Sequence, residues 1–153
     1  MTTISAQRVS ANTCDDVNER IISDMQRRIE FYALHTELIE ERLEELDREW
    51  DVERIIETQA PAETVLAIVM AMFGGRKWLL LAIAAQTMVL THALQGFYPT
   101  MPLWRRAGFR TQREMAEERY ALRALRGDFD GAVDTSLEEG ERASAAVSAA
   151  RVD

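Results

Sequence analysis

The stretch WLLLAIAAQTMVLTHALQGF, residues 78–97, decides the fold class of this chain. It contains no formally charged side chain, and a helix of about twenty apolar residues matches the roughly 30 Å hydrocarbon core of a bilayer. The earlier run TVLAIVMAMF (64–73) is also uncharged, and the two runs flank the turn GGRK (74–77), which supplies two cations. A short apolar arm, a basic turn and a long apolar arm predict a helical hairpin over residues 61–104.

Residues 105–127 follow the hairpin as a basic turn and a capped helix. Thr111 and Glu114 have the spacing of a capping box, in which each side chain accepts a hydrogen bond from the backbone amide of the other residue. Gly127 is a typical residue at which such a helix stops. The remaining residues, 128–153, are acidic and rich in Ala and Ser, so we expect this tail to be loosely ordered unless a partner holds it.

The N-terminal third of the chain predicts a flexible arm and one long charged helix. Residues 1–15 are small and polar, whereas residues 16–60 contain neither Gly nor Pro and predict a helix of about 65 Å that ends at Pro61. Apolar side chains recur in it at heptad spacing, which is typical of a coiled coil. Flanking charges favour a parallel self-associated pair, and close antiparallel packing stays open. The predicted self-association seam is Ile22, Met25, Ile29, Tyr32, Ile39, Leu43, Leu46 and Trp50.

The composition limits the classes of protein to which the chain can belong. A length of 153 residues with 47% apolar residues suits one domain. The net charge of −8 offers little attraction to the phosphate backbone of nucleic acid, so no nucleic-acid partner is expected. Cys14 is the only cysteine, which excludes an internal disulfide and favours a reducing compartment. The N-terminal residues lack the basic start and apolar core of a secretory signal.

Aromatic and basic side chains at the ends of the hairpin favour a location at a membrane. Trp and Tyr are enriched at membrane–water interfaces, and cytoplasmic flanks carry an excess of Lys and Arg. The predicted membrane-interface residues are Trp78, Phe97, Tyr98, Trp104, Arg105, Arg106 and Arg110. Because the arginines after the hairpin outnumber Arg76 and Lys77 in the turn, both termini are expected in the cytoplasm. The alternative is a soluble cytoplasmic bundle in which the hairpins bury one another.

The end of the apolar run, Gln95-Gly96-Phe97-Tyr98-Pro99, resembles the YgaP-like transmembrane domain, a family of unknown function found in small bacterial inner-membrane proteins. The resemblance covers about residues 62–106 and implies a helical hairpin in the bacterial inner membrane. In that family the domain occurs alone or behind a rhodanese domain, and a Cys often precedes the proline. Tyr98 occupies that position here, so a thiol or sulfur-transfer role does not follow from the resemblance.

No arrangement of side chains in the sequence predicts a reaction, a metal site or a cofactor site. His92 has no second ligand nearby in sequence, which favours a histidine at a helix interface. Several glutamates lie on successive helical turns without the Glu-x-x-His pairs of bundle di-metal sites. They therefore predict a solvated acidic face, formed by Glu37, Glu40, Glu41, Glu44 and Glu45.

These features together predict an all-α protein with a long N-terminal coiled-coil-like helix, an apolar helical hairpin and a short C-terminal amphipathic helix. The expected function is that of a non-enzymatic scaffold or accessory protein of the bacterial inner membrane, which self-associates through its long helix. The expected partners are a second copy of the chain and membrane lipid or a membrane-protein complex. A soluble cytoplasmic oligomeric adaptor, with the hairpins buried in a common core, is the alternative.

Overall fold

The computed structural model describes residues 8–150, which form helices and turns without a strand in that range. The prediction of an all-α protein is therefore confirmed. Three short 3-10 segments lie at Ser10–Asn12, Thr36–Leu38 and Arg76–Trp78. The α-helices are α1 (Asp15–Leu34), α2 (Ile39–Arg48), α3 (Val52–Gly74), α4 (Leu79–Gln95), α5 (Met101–Arg106), α6 (Gln112–Arg126), α7 (Asp130–Val133) and α8 (Glu139–Ala150).

The described residues divide into two compact units. Unit 1 contains residues 8–24 and 49–115, and unit 2 contains residues 25–48 and 116–150. The core of unit 1 lies where the first half of α3 meets the segment after α4, and it includes part of the N-terminal segment. Its buried side chains are Val9, Val52, Ile56, Ala60, Tyr98 and Met101, with Met88, Val89 and Trp104 packed against them.

The prediction of one uninterrupted helix over residues 16–60 is wrong, because that range contains two breaks. His35 leaves the helical region with φ −132° and ψ 60°, and α3 starts at a cap where Asp51 accepts a hydrogen bond from the Arg54 amide at 2.6 Å. The Val52 amide donates to the Arg110 carbonyl at 2.9 Å. A capping carboxylate and a tertiary backbone bond thus replace the hydrogen bonds that would continue α2 into α3.

The prediction that Pro61 ends a helix is also wrong, since Pro61 lies inside α3. Proline in a helix removes one hydrogen bond and crowds the preceding turn. Pro61 is exposed, whereas Ile56, Ala60 and Ala67 are buried on α3. Packing on the buried side therefore maintains the helix through a residue that usually interrupts one.

The N-terminal arm is only partly as predicted. Residues 1–7 of the predicted flexible arm lie outside the described residues, but Val9 and Thr13 are buried. The Asn12 side-chain amide donates to the carbonyls of Arg8 and Gln95, both at 2.8 Å. These contacts hold the segment from residue 8 onward against the end of α4, so the expectation of flexibility is wrong there.

The sequence signals for the start and the end of α6 agree with the structure, whereas the tail after α6 differs from its prediction. The Thr111 amide donates to Glu114 Oε2 at 2.8 Å and the Glu114 amide donates to Thr111 Oγ1 at 3.2 Å, which confirms the capping box. Gly127 follows α6 with φ 86°, which confirms the stop. The tail predicted to be loosely ordered contains α7 and α8, and residues 151–153 lie outside the described range.

Candidate membrane-facing surface

The α3–α4 pair exposes a continuous series of large apolar side chains, which we call the apolar surface. Phe73 is 85% exposed and Leu94 is 72% exposed, values that a core residue of a soluble domain does not have. Contiguous exposed apolar area of this kind marks a contact with another protein, a membrane or a ligand. The apolar surface comprises Val65, Leu66, Ile68, Val69, Met70, Met72, Phe73, Leu79, Leu80, Leu81, Ile83, Leu90 and Leu94.

Two helical stretches, Thr36–Gly74 and Arg76–Gln95, are long and apolar enough to cross a membrane by length and composition. That is weak evidence by itself, because a core helix of a soluble protein meets the same criteria. A core helix is mostly buried, whereas only 17% of the apolar window in the first stretch and 11% in the second is buried. The two stretches therefore lack the burial of ordinary core helices within the described chain.

The hydroxyl groups of α3 and α4 are satisfied inside the helices that carry them. The threonine hydroxyls each donate to the carbonyl four residues earlier, and Gln86 Nε2 donates across the pair to Thr64 Oγ1 at 2.7 Å. A polar group that is already hydrogen-bonded costs much less to place in lipid than an unbonded one. The four bonds are Thr58 to Arg54 (2.8 Å), Thr64 to Ala60 (2.8 Å), Thr87 to Ile83 (2.8 Å) and Thr91 to Thr87 (2.9 Å).

A group of hydrogen-bonded polar side chains, the basal network, lies where the apolar surface stops. Gln59 Nε2 donates to Glu63 Oε1 at 2.6 Å, and Gln59 Oε1 accepts from Thr100 Oγ1 at 3.0 Å. Trp104 Nε1 donates to Thr100 Oγ1 at 3.2 Å. Burial, together with the Glu63 carboxylate hydrogen-bonded to its hydroxyl, raises the pKa of Tyr98. The network joins α3, α5 and the loop between α4 and α5.

Two of the aromatic residues predicted at a membrane interface instead pack or form hydrogen bonds inside unit 1. Tyr98 is only 3% exposed and belongs to the core of unit 1, so the expectation that it lies at a membrane interface is corrected. Trp104 is half-buried and is bonded to the basal network. Phe97 is 41% exposed, as an interface residue requires. The signal that Tyr98 is buried lies in the tertiary packing, since its neighbours in the sequence do not distinguish it from Phe97.

His92 lies on α4 close to this network and is buried, with 7% of its surface exposed. Its ring meets the Tyr98 ring edge to face, with 6.3 Å between the centroids. Its Nδ1 atom has no hydrogen-bond partner among the described residues. The burial of His92 agrees with the sequence interpretation, and among the described residues no group of three or more His, Cys, Asp or Glu side chains could hold a metal ion.

The turn between α3 and α4 carries two exposed cations, Arg76 and Lys77. Gly75 adopts φ 92°, and Trp78 folds back over the end of α3, where a Cβ at Gly74 would lie 2.7 Å from Trp78 Nε1. Trp78 is half-buried by this contact. Among the predicted interface residues, Trp78 and Phe97 thus flank the two ends of α4, as anchors of a membrane helix do.

The expectation that Arg105 faces lipid headgroups is wrong, because its side chain is 0% exposed. Its two terminal nitrogens form a bidentate pair with Glu114 at 2.6 and 2.7 Å. They also donate to the Phe109 carbonyl at 3.2 Å and to Asn18 Oδ1 at 3.1 Å. Arg105 therefore connects α1, α5 and the start of α6 inside unit 1.

Arg110 is corrected for the same reason, whereas the membrane-interface position of Arg106 stays a prediction. Arg110 is 6% exposed and pairs with Glu49 at 2.5 Å, while Arg106 is exposed. The nearby Glu53 accepts a hydrogen bond from the Gln112 amide at 3.1 Å, and burial raises the pKa of its carboxyl. Within the arginine cluster inferred from sequence, Arg105 and Arg110 thus pair with carboxylates whose side chains are 13% and 35% exposed.

The residues of the predicted seam have three different environments. Ile22 and Trp50 are exposed, at 51% and 45%, and the Arg54 guanidinium lies 4.6 Å above the Trp50 ring. Met25, Ile29 and Tyr32 are half-buried. The third group belongs to α2 and is buried inside the chain itself, which the heptad pattern did not anticipate; it consists of Ile39, Leu43 and Leu46.

Unit 2 contains a buried ion-pair group that the sequence did not predict. Glu118 is fully buried and accepts from Arg42 Nε at 2.9 Å and from Arg28 Nη2 at 3.0 Å. At the end of α6, hydrogen bonds from Arg126 and then Arg123 lower the pKa of Asp128 from 3.8 to about 2. Spacing in the sequence could not show the first group, because Glu118 is far from both arginines along the chain.

No protein-family model, curated protein or solved structure matches this chain.

Proposed function

We propose that this chain is a non-enzymatic scaffold or accessory protein of the bacterial inner membrane, and that the α3–α4 pair is a helical hairpin in contact with lipid. The observation that carries the proposal is the apolar surface, whose side chains are exposed over nearly every position of α3 beyond Glu63. An interfacial helix has one polar face, whereas the exposed apolar side chains of this pair occur on most sides of both helices. Insertion into lipid removes that area from water.

The dimensions and chemistry of the hairpin support this proposal. The seventeen residues of α4 give a helix of about 25 Å, close to the roughly 30 Å of the hydrocarbon core. Hydroxyls bonded within their own helices, Trp78 and Phe97 at the two ends and the basal network at one end agree with a lipid environment. Basic residues flanking the hairpin at its basal end favour cytoplasmic termini, and the resemblance to the YgaP-like transmembrane domain stays a prediction.

Washing of membrane pellets tests the proposal on the full chain. We expect the protein to stay in the pellet after separate extractions with alkaline carbonate and with high salt, and to enter solution with detergent. Carbonate disrupts peripheral contacts without dissolving the bilayer. Release into the carbonate supernatant contradicts the proposal and favours the soluble adaptor, which keeps the same assembly size with and without detergent.

We further propose that the protein self-associates, through α1 rather than through a single long helix. Ile22 is exposed on α1, and half-buried Met25 and Ile29 follow it at heptad spacing. A buried seam residue such as Ile39 is already packed within its own chain and does not supply area for a partner. The contact between copies is therefore expected to be short.

Light scattering of the detergent-solubilised chain distinguishes these residues. Ile22→Asp is expected to reduce the assembly to the monomer and to leave the thermal unfolding midpoint nearly unchanged, because Ile22 is exposed. Ile39→Asp introduces a charge into a fully buried site and is expected to destabilise the fold itself. An unchanged assembly size for Ile22→Asp contradicts self-association through this face of α1.

A further inference from the structure

Two exposed arginines lie together at the basal end of the hairpin, one from α1 and one from α5. Arg20 Nη2 donates to the Arg106 carbonyl at 3.1 Å, although 86 residues separate them in the chain. Both side chains are exposed, and neither forms an ion pair among residues 8–150. The structure thus places the Arg20 guanidinium at the backbone of Arg106, so both basic residues lie in the same exposed part of unit 1.

The surroundings of these arginines differ from those of the neighbouring Arg105. Arg105 has a buried carboxylate partner in Glu114, so its charge is compensated inside the protein. Arg20 and Arg106 have no such ion-pair partner among residues 8–150, and both side chains are open to solvent. An exposed guanidinium group can donate two hydrogen bonds to the oxygens of a phosphate.

Exposed apolar side chains lie in the same part of the chain. Leu103 is 63% exposed and Phe97 is 41% exposed. Leu103 precedes Arg106 by three positions in α5, so these two side chains share one face of that helix. A surface that places guanidinium groups beside exposed apolar groups matches the boundary of a bilayer, where phosphate lies next to acyl chains.

We propose that Arg20 and Arg106 bind the phosphodiester of anionic phospholipid headgroups at the cytoplasmic face. The inference rests on the proposed membrane location and adds the chemistry of the lipid that the basal end selects. Arginine presents paired donors that match phosphate oxygens in a bidentate arrangement. The exposed apolar side chains in the same part of unit 1 favour a lipid over a free phosphate ion, because only the lipid also covers Phe97 and Leu103.

Quenching of tryptophan fluorescence by brominated lipids tests the proposal. The full chain carrying Trp50→Phe and Trp78→Phe is reconstituted in phosphatidylcholine vesicles that contain brominated phosphatidylglycerol or brominated phosphatidylcholine, so that Trp104 is the remaining tryptophan and reports on the basal end. We expect brominated phosphatidylglycerol to bind about thirtyfold more strongly, since each basic side chain near an anionic surface contributes a factor of about five. Changing both Arg20→Gln and Arg106→Gln is expected to bring the two lipids close to equal.

A matched control removes the same number of charges from the other unit. Arg27→Gln with Arg48→Gln changes two exposed arginines of unit 2 and is expected to leave the lipid preference intact. Equal quenching by the two lipids in the parent, or a preference that survives loss of Arg20 and Arg106, overturns the proposal.

Two further outcomes of the quenching experiment test the identity of the ligand and the membrane location. Competition by inorganic phosphate at matched concentration assigns the site to free phosphate and overturns the headgroup assignment. Absence of quenching by either lipid contradicts the membrane location itself, which carbonate extraction tests independently. Circular dichroism of each variant verifies that the helices are retained.

Discussion

Replacing Arg105 by Met is expected to destabilise the protein strongly, although the chain carries another arginine at the next position. The Arg105 side chain is fully buried and makes four hydrogen bonds, two of them to the Glu114 carboxylate. Its removal leaves the Glu114 charge in a mostly buried site without its partner. Loss of one member of a buried ion pair costs about 3–5 kcal/mol, a large part of the 5–15 kcal/mol that stabilises a typical domain.

Thermal unfolding followed by circular dichroism in mild detergent measures the effect. For a chain of this size 1 kcal/mol corresponds to a shift of about 2–4 °C in the midpoint, so Arg105→Met is expected to lower it by about 10 °C. Arg106→Met is the matched control, and because Arg106 is exposed its cost is expected to stay within about 0.5 kcal/mol. Similar midpoints for the two variants refute the buried ion pair.

A second substitution separates the loss of charge compensation from the loss of packing. Glu114→Gln removes the carboxylate charge but preserves the capping box with Thr111, since Gln serves at that position as well as Glu. The double variant Arg105→Met with Glu114→Gln is therefore expected to be more stable than Arg105→Met alone. A strictly additive double variant contradicts coupling between the two side chains.

Three other predictions follow from the same structure. Gly96→Ala is expected to cost more than Gly108→Ala, since both have positive φ, worth about 1–2 kcal/mol, but only at Gly96 does a new Cβ meet backbone at 2.4 Å. Glu118→Gln is expected to cost about 3–5 kcal/mol in chemical denaturation, because it removes the fully buried charge that pairs with both Arg28 and Arg42. Asp128→Asn is expected to lower the unfolding midpoint at neutral pH, with the difference from wild type disappearing as the pH falls from 4 to 2.

Each of these predictions has a contradicting outcome. Equal costs at the two glycines would mean that the close contact with Arg8 does not persist in solution. Glu117→Gln is the control for the buried glutamate, since Glu117 is exposed, and equal losses for the two would contradict the burial. The sign for Asp128 follows from its depressed pKa, because the stability it contributes is present above its unfolded pKa and is lost as pH falls through about 2. A difference in unfolding midpoint between wild type and Asp128→Asn that persists at pH 2 contradicts this role of the Asp128 charge.

Local signals in the sequence predicted several elements correctly. Thr111 and Glu114 cap α6, and Gly127 follows its last turn with φ 86°. Each of these depends on residues within about four positions, because a helix end is satisfied by groups next to it in the chain. The helical class of the described residues was likewise predicted correctly from patterns that are local in the sequence.

The helix breaks at His35 and Asp51 were not predicted, and only the break at Asp51 has a recognisable signal in the sequence. Asp51 is a typical cap residue, which could have been weighed against the absence of Gly and Pro. His35 is not, and the heptad pattern continues through it in the sequence. Because Ile39 is buried within its own chain, the apolar spacing reflects packing inside unit 2. A heptad pattern looks the same whether the helix packs against its own chain or against a second copy.

The sequence by itself determined that the chain is helical, that an uncharged run is followed by arginines, and where several helices end. Tertiary structure alone decided which arginines are buried and which are exposed. Arg105 and Arg106 are identical in type and adjacent, yet one pairs with Glu114 inside unit 1 and the other lies beside Arg20 of α1 at the surface. The physical reason is that an arginine charge is buried only where a carboxylate from another helix or loop packs against it, and spacing in the sequence does not determine how those elements pack.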